Sequence, residues 1–316
     1  MTNTSNTPIA PPSTLIVNYH YCVGETENPY LARTAVSPVL FAKQVKQLAA
    51  LQTTHGVAPL VTFDDGTRDV WRNAVPILKQ HGVPFILFFC SLPLLEKRLL
   101  NVTKIHLLQA KLGLPAFKLR FMTALKTIQQ SFELDDPARF NLGRIYRYDT
   151  HEAREFKLLL NVKLPYPVVT QVLDTLFEPE FGSQAQAVPS LYMTNDDILR
   201  ARDAGAKIGL HTHSHFMLGR LSNATQETEI QTCQHYFRDL LGQQAFELSY
   251  PYGVPGTWNA HTKSVLSKLG IEQAYTLGRQ LHHANNEHDA LEIPRFDVND
   301  VFTREGVFKS EASTPA

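Results

Sequence analysis

The sequence lacks the paired cysteines of a disulfide-stapled protein. Its three cysteines, Cys22, Cys90 and Cys233, are odd in number and far apart along the chain. They cannot complete a disulfide framework, and none has the paired spacing typical of a zinc knuckle. A reducing compartment is therefore expected, and we predict a cytoplasmic protein.

Net charge and long apolar runs are absent as well. Thirty Lys plus Arg balance thirty Asp plus Glu, so no overall field favours binding to nucleic acid or to an anionic membrane, and we expect no nucleic-acid partner. The longest apolar run, VPFILFFC at 83–90, has the length of a strand and falls short of the roughly 20 residues that cross a bilayer. Residues 1–13 lack the basic start and apolar core of a secretory signal, and we predict a disordered lead-in there.

What the chain does contain is an alternation of short β-branched runs with segments of helical periodicity. Strands are predicted at Thr14–Asn18, Leu60–Phe63, Val83–Cys90, Lys207–Leu210, Phe246–Tyr250, Gln273–Leu277 and Leu291–Phe296. Helices are predicted between them at Ser37–Leu51, Thr67–His81, Asp196–Ala204, Ala224–Leu241 and His261–Leu269. Such alternation predicts a parallel sheet covered by helices, either open or closed into a barrel.

The alternation is interrupted by a mostly helical segment at about 95–190. We therefore predict a single domain over 14–306 that contains this insertion, followed by a flexible tail at 307–316. Between Lys97 and Lys163 the insertion has 13 Lys or Arg and 6 Asp or Glu, a net charge of +7. A solvated helical excursion would explain this charge, and so would a basic lid over a phosphate-bearing substrate or a contact with a membrane surface.

Two polar motifs follow predicted strands. In TFDDG (62–66), Asp64 and Asp65 are neighbours whose charges repel, unless a cation or hydrogen bonds compensate. In HTHSH (211–215), His211 and His215 share a face in both helical and extended geometry, whereas His213 joins them only if the segment is extended. An aspartate at a strand end is also a common helix N-cap, which is the alternative for Asp65.

A third motif, YPYG (250–253), also ends a strand, and its turn could aim the backbone N–H of Tyr252 at a ligand. In a parallel barrel all three motifs would meet at the face where active sites lie. Two neutral histidines and one carboxylate suffice for one divalent metal ion with open coordination positions. Zn²⁺ is the first choice, with Co²⁺, Ni²⁺ or Fe²⁺ as alternatives, and the second aspartate would remain free as a base.

The ordered set TFDDG, HTHSH and YPYG resembles the polysaccharide deacetylases of the NodB-homology type, carbohydrate esterase family 4. Asn18-Tyr19-His20 is similar to a Tyr-His pair in that family's first strand. The resemblance implies a distorted (β/α) barrel with fewer than eight complete units. It also implies a metal-dependent hydrolase that removes N-acetyl groups from an amino sugar in a polysaccharide or glycan precursor and releases acetate.

Carried over to this sequence, the family's metal triad falls on Asp65, His211 and His215, and its general base falls on Asp64. The backbone N–H of Tyr252 would help to hold the oxyanion. The substrate is then an N-acetylated amino sugar, and a nucleotide- or lipid-linked form would suit the basic insertion. Oligomeric state is not indicated by the sequence.

The sequence departs from the family in three respects, one of which is that the usual Trp-containing fourth motif is not recognisable in Gly270–Arg279. Ser249 stands where many members have an arginine that steadies the catalytic aspartate, and we predict Arg295 as its substitute. The family's late histidine, the general acid, has no counterpart; His20 is the first candidate for this role, ahead of His282 and His283. Two other hypotheses stay open: hydrolysis of a non-sugar amide such as a formamide or cyclic ureide, and a non-catalytic carbohydrate-binding relative.

Overall fold

The fold is built on a parallel sheet of eight strands. The computed structural model describes residues 13–128, 131–136, 145–242, 246–283 and 289–309, so most of the predicted lead-in and tail lies outside the described residues. The strands are β1 (Thr14–Tyr19), β2 (Ala58–Phe63), β3 (Phe85–Phe89), β4 (Lys207–Leu210), β5 (Glu247–Ser249), β6 (Gln273–Thr276), β7 (Ile293–Pro294) and β8 (Phe296–Asp297). Their order across the sheet is β7-β6-β5-β4-β3-β2-β1-β8, and every pair is parallel.

The sheet is nearly closed into a barrel by one short segment of chain. Strand β7 pairs with β6 at one edge, and β8 pairs with β1 at the other. Only Arg295 separates β7 from β8, so the chain crosses the seam of the barrel at this residue. The sequence predicted one strand at Leu291–Phe296; the structure has two because this segment serves opposite edges. The predicted distorted (β/α) barrel is confirmed.

Helices cover the outside of the barrel. They are α1 (Pro38–His55), α2 (Val75–His81), α9 (Asn195–Asp203), α10 (Asn223–Leu241), α11 (Ala260–Lys268) and α12 (Val298–Val301). Short 3₁₀ turns occur at Leu31–Arg33, Leu218–Arg220 and Ala290–Glu292. A π-helical turn, Val70–Ala74, precedes α2, so Asp65 lies well before this helix and is not its N-cap.

The insertion is helical, as predicted. It contains α3 (Leu92–Glu96), α4 (Asn101–Leu112), α5 (Leu114–Leu125), α6 (His151–Leu158), a π-helical turn (Leu159–Lys163), α7 (Tyr166–Phe181) and α8 (Gln184–Leu191). Phe117, Phe121 and Phe156 pack edge to face in a core of its own. A second cluster joins Tyr166 of the insertion to Phe216 of the barrel, whose rings stack at 4.0 Å.

Side chains alternate along each strand, and this alternation places a polar layer above an apolar one inside the barrel. Ile16, Phe88 and Tyr275 belong to the apolar cluster. Two residues after Ile16 comes the buried Asn18, at the carboxyl end of β1. The carboxyl ends of the strands therefore present buried polar groups.

Among the described residues, no helix is both long and apolar enough to span a bilayer.

Candidate active site

The first motif forms a sharp turn at the end of β2. The backbone N–H of Asp64 donates to the Tyr19 carbonyl, which ties this turn to β1. Asp65 and Gly66 then both adopt left-handed φ angles, +69° and +71°. A non-glycine residue in this region is strained, and such strain is commonly found at functional sites. The turn sends the two neighbouring carboxylates into different surroundings.

Asp64 lies in a buried network at the seam of the barrel. Arg295, only 1% exposed, donates from both terminal nitrogens to the two Asp64 oxygens, each at 2.9 Å. The Asn18 amide donates to Asp64 Oδ2 at 3.1 Å. Burial is the largest single influence and raises the pKa of this carboxyl, but the charge and the hydrogen bonds of Arg295, together with weaker neighbouring charges, outweigh it, so that the pKa of Asp64 is held below its usual range. Asp64 is therefore ionised.

Arg295 is itself fixed by the ends of several strands. Its guanidinium donates to Ser249 Oγ at 2.7 Å, to Asn18 Oδ1 at 3.0 Å and to Thr62 Oγ1 at 3.1 Å. Ser249, at the motif position where the family often has an arginine, thus contacts the arginine that we predicted as its substitute. Sequence reasoning found Arg295 but missed Asn18 and Thr62 as its partners. The signal available in the sequence was that Asn18 and Thr62 alternate with buried apolar residues along their strands.

Asp65, unlike Asp64, has no charged side chain that donates hydrogen bonds to it among the described residues. Its carboxylate is buried, and neither oxygen accepts a hydrogen bond from the residues that the structure describes. The Nε2 atoms of His211 and His215 lie 3.7 and 3.4 Å from Asp65 Oδ1. A buried carboxylate without hydrogen bonds is costly unless a cation balances it. Asp65 therefore has the surroundings of a metal ligand.

The histidine motif bends so that two of its rings meet at Asp65. Thr212 and His215 have left-handed φ angles of +67° and +61°, and the His215 backbone N–H donates to Thr212 Oγ1. His211 Nδ1 lies 2.7 Å from the Ser249 carbonyl, so Nδ1 carries the proton and Nε2 keeps its lone pair. Burial lowers the pKa of His215 to about 4, against the opposing charge of Asp65. Both rings are thus suited to bind a cation.

His213 turns away from this cluster. Its Nδ1 lies 2.8 Å from Ser91 Oγ, and its Nε2 lies 3.0 Å from Glu96 Oε1. The segment is not extended, so the condition for His213 to join the other two histidines is not met.

Asp65, His211 and His215 have the donor set of a divalent metal site. One ligand atom from each lies within 4.8 Å of the others, and all three residues are buried. Neutral imidazole nitrogens and a carboxylate are the ligands of catalytic zinc sites that keep an open position. The residues present therefore fit one divalent ion, and the donor set does not select among zinc, cobalt, nickel and iron.

Tyr252 and His20 border the same centre. Tyr252 has a left-handed φ of +66°, and its ring centroid lies 5.1 Å from that of His215. The His20 carbonyl accepts a hydrogen bond from Thr67 Oγ1, and the charge of the His20 ring lowers the pKa of both Asp64 and His215.

Of the weaker candidates for the general acid, His282 pairs through its backbone with Thr14, and His283 Nδ1 lies 2.8 Å from Ser13 Oγ. Both lie beside the first residues of β1, the end opposite the motifs.

The insertion adds one histidine that sequence reasoning missed. His106 of α4 lies with Nδ1 3.2 Å from the Tyr21 hydroxyl, and the charges of Asp65 and His215 act on its ring. Burial lowers the pKa of His106 to about 3. This histidine is therefore neutral, and a lone histidine on a helix far from the motifs gave no signal in the sequence.

Gly66 is required by both its conformation and its neighbours. A Cβ at Gly66 would lie 2.3 Å from Phe89 Cδ1, whereas Gly56, with a similar φ of +66°, has open space. We expect Gly66→Ala to lower the free energy of unfolding by about 1–3 kcal/mol more than Gly56→Ala, because only the first substitution overpacks a core side chain. Urea unfolding of both variants measures this difference. Equal losses of unfolding free energy would contradict the claim that a Cβ at position 66 overpacks against Phe89.

The model of a family described as polysaccharide deacetylase matches residues 165–274, which include the histidine motif and Tyr252. Among solved structures, the chain is similar to the Streptococcus pyogenes deacetylase PplD, at 16% identity and a TM-score of 0.52, covering 91% of this chain and 93% of that chain. The comparison with curated proteins gives no match. The family resemblance expected from the motifs is confirmed, and the likeness to PplD concerns the fold.

Two further solved structures are similar over comparable lengths. IcaB from Ammonifex degensii is 17% identical, with 91% of this chain and 92% of that chain covered and a TM-score of 0.49. The BpsB deacetylase domain from Bordetella bronchiseptica is 12% identical, with 92% and 97% covered and a TM-score of 0.45.

Proposed function

We propose that this protein hydrolyses the N-acetyl group of an amino sugar in a polysaccharide or glycan precursor, in a metal-dependent reaction that releases acetate; the match of residues 165–274 to the polysaccharide deacetylase model supports this. The observation that carries this proposal is the contrast between two neighbouring carboxylates. Asp64 is held by Arg295, whereas the buried oxygens of Asp65 face His211 and His215. Two aspartates in such different surroundings suit two roles, a base and a metal ligand.

A divalent ion held by Asp65, His211 and His215 would polarise the acetyl carbonyl and acidify the attacking water. Asp64 is the base that takes the proton from this water. Its Oδ2 accepts bonds from Arg295 and Asn18, while among the described residues Oδ1 accepts only from Arg295. A carboxylate oxygen has two lone pairs, so Oδ1 keeps one for the proton. Arg295 acts as a positioning residue, because it fixes the plane of the carboxylate.

The remaining steps use groups at the rim of the centre. The water oxygen bonds to the acetyl carbon, and negative charge develops on the former carbonyl oxygen. The backbone N–H of Tyr252, set by its left-handed turn, donates to this oxygen. The C–N bond then breaks, and the amine nitrogen takes a proton from His20, which leaves acetate and the free amino sugar.

A substrate panel tests the proposed reaction. The purified protein, loaded with zinc or cobalt, is incubated with N-acetylglucosamine oligomers, with a formamide and with a cyclic ureide, and acetate, formate and free amine are assayed. We expect acetate release from the sugars alone. The proposal is contradicted if product is released only from a non-sugar amide. It is also contradicted if no substrate gives product with either metal.

Replacement of His20 tests the source of the second proton. We expect His20→Ala to lower kcat by about 10²–10⁴-fold, because the leaving amine loses its general acid, while metal content stays near the wild-type value. His151→Ala, at an exposed position of α6, is the control. An unchanged kcat in His20→Ala would remove His20 from the mechanism.

The compartment and the carrier of the sugar stay predictions. The sequence predicts the cytoplasm, and a nucleotide- or lipid-linked sugar stays a candidate substrate beside a polymer.

A further inference from the structure

The turn that joins the two histidine ligands has a strained backbone. The turn runs from His211 to His215, and Thr212 and His215 both have left-handed φ angles. A non-glycine residue keeps such a conformation only where its surroundings fix it. Because the positions of both imidazole rings depend on this turn, the contacts that fix the turn also affect how the rings meet at Asp65.

One side of the turn is held through its carbonyl groups. The backbone N–H of Ser91 donates to the Thr212 carbonyl at 3.3 Å, and the backbone N–H of Leu92 donates to the His213 carbonyl at 3.0 Å. Both donors lie just after β3, which is the neighbour of β4 in the sheet. This side of the turn is therefore tied to the end of the adjacent strand.

The other side of the turn is held through backbone N–H groups by a buried carboxylate. Glu229 of α10 is 6% exposed, and its Oε2 accepts a hydrogen bond from the Ser214 backbone N–H at 2.8 Å. Burial raises the pKa of this carboxyl, whereas hydrogen bonds from Ser214 and the charge and backbone N–H of His213 lower it. Ser214 and His213 lie between the two ligands, so Glu229 contacts the part of the turn that joins them.

Helix α10 gives this carboxylate a fixed position. Ile230, Cys233 and Phe237 of the same helix are buried in the main hydrophobic core. The helix therefore cannot follow a movement of the turn. Without the Glu229 carboxylate, the Ser214 N–H would lose its acceptor, and a buried donor without a partner is costly. The turn would then relax toward another acceptor, and the histidine rings would move with it.

We propose that Glu229 is a positioning residue, which fixes the histidine turn and thereby preorganises His211 and His215 for the divalent ion. The inference rests on the proposed function, because it concerns the metal centre of the same reaction. Glu229 acts through Ser214 and His213 and makes no bond to the ion. Its loss leaves all three proposed ligands in the chain but weakens their convergence, so the affinity for the ion falls.

Zinc affinity tests this role apart from turnover. Metal-depleted protein is titrated with zinc in competition with a chelator of known affinity. We expect Glu229→Ala to raise the Kd for zinc by about 10–100-fold, the range found for groups that orient metal ligands. Glu229→Gln keeps the volume of the side chain and one acceptor oxygen, and we expect a smaller increase in Kd, about threefold to tenfold.

A second buried polar residue of α10 provides the matched control. Gln234 is 7% exposed, and its amide donates to the Leu269 carbonyl, just after α11, at 2.8 Å. Gln234→Ala should lose stability but keep the wild-type Kd for zinc. The inference is overturned if Glu229→Ala, or Glu229→Gln where the alanine variant does not fold, keeps the wild-type Kd. It is also overturned if Gln234→Ala raises the Kd as much.

Acetate release by the wild type separates this inference from the proposed function. Zinc binding that depends on Glu229, without acetate release from any substrate, would contradict the proposed function and leave the role of Glu229 intact. Acetate release together with a Kd for zinc that is unchanged in the Glu229 variants would contradict the inference alone. A wild-type protein that binds no zinc would contradict both.

Discussion

Asp64→Asn is expected to lower kcat by about 10²–10⁴-fold while one equivalent of metal remains bound. The substitution removes the proposed base but leaves the proposed ligands Asp65, His211 and His215 in place. Asparagine also keeps the volume of the side chain, although its NH₂ group cannot accept a hydrogen bond from Arg295 or Asn18. Acetate release and elemental analysis of the same preparation separate the loss of the base from the loss of the metal.

The control for this substitution is Asp196→Asn, at an exposed position near the start of α9. We expect it to retain wild-type kcat. An active Asp64→Asn protein would overturn the assignment of the base. Loss of the metal in Asp64→Asn would mean that Asp64 and Asp65 have exchanged the roles proposed here.

Arg295→Met is expected to reduce the free energy of unfolding by about 3–5 kcal/mol, because it leaves the buried Asp64 carboxylate without its charged partner. Activity should also fall, since the plane of Asp64 is no longer fixed. Urea unfolding of metal-free protein measures the first effect, and acetate release measures the second. Arg295→Lys keeps the charge but not the paired geometry, and we expect an intermediate result.

The loss of stability in Arg295→Met should depend on pH. In the wild type the folded pKa of Asp64 is lowered, so the pair stabilises the fold fully above the unfolded pKa, about 3.9, and less as the pH falls below it. In the variant, burial still raises the pKa of Asp64 while the opposing charge and hydrogen bonds of Arg295 are gone, so protonation relieves the cost as the pH falls. The difference between the proteins should narrow on acidification; Arg304→Met, at an exposed position, is the control.

The sequence predicts the barrel and the main parts of the site because both depend on local patterns. Strand periodicity indicates where each strand ends, and the three motifs follow such ends. The convergence of His211 and His215 follows from their spacing in either geometry. In the structure both rings lie beside Asp65.

The parts that sequence reasoning missed depend on contacts between distant segments. Residues 291–296 read as one strand, because nothing local reveals that β7 and β8 pair with opposite edges of the sheet. The contact of Asn18 with Arg295 spans 277 positions, and alternation along β1 does not reveal which distant residue Asn18 contacts. His106 contacts the Tyr21 hydroxyl only because the insertion packs against the segment that follows β1. Backbone strain at Asp65 and Tyr252 is likewise visible only in the folded chain.

The charge of the insertion likewise depends on contacts between distant segments that the sequence does not reveal. Counting residues gives a net charge of +7, which left a phosphate-bearing substrate open as one interpretation beside a solvated helical excursion. In the structure Lys104, Arg98 and Lys111 pair with acidic groups of α7 that lie outside the counted segment. A count of charges cannot show which of them are neutralised by contacts within the fold.

The measurement that tests the central claim most directly is acetate release by metal-depleted protein as zinc is titrated back. With an N-acetylglucosamine oligomer as substrate, we predict no release before the addition of metal, then a rate that rises linearly and reaches a plateau at one equivalent per chain. Release that persists in the presence of a chelator, or no release at any metal ratio with zinc, cobalt, nickel or iron, would contradict a metal-dependent deacetylase.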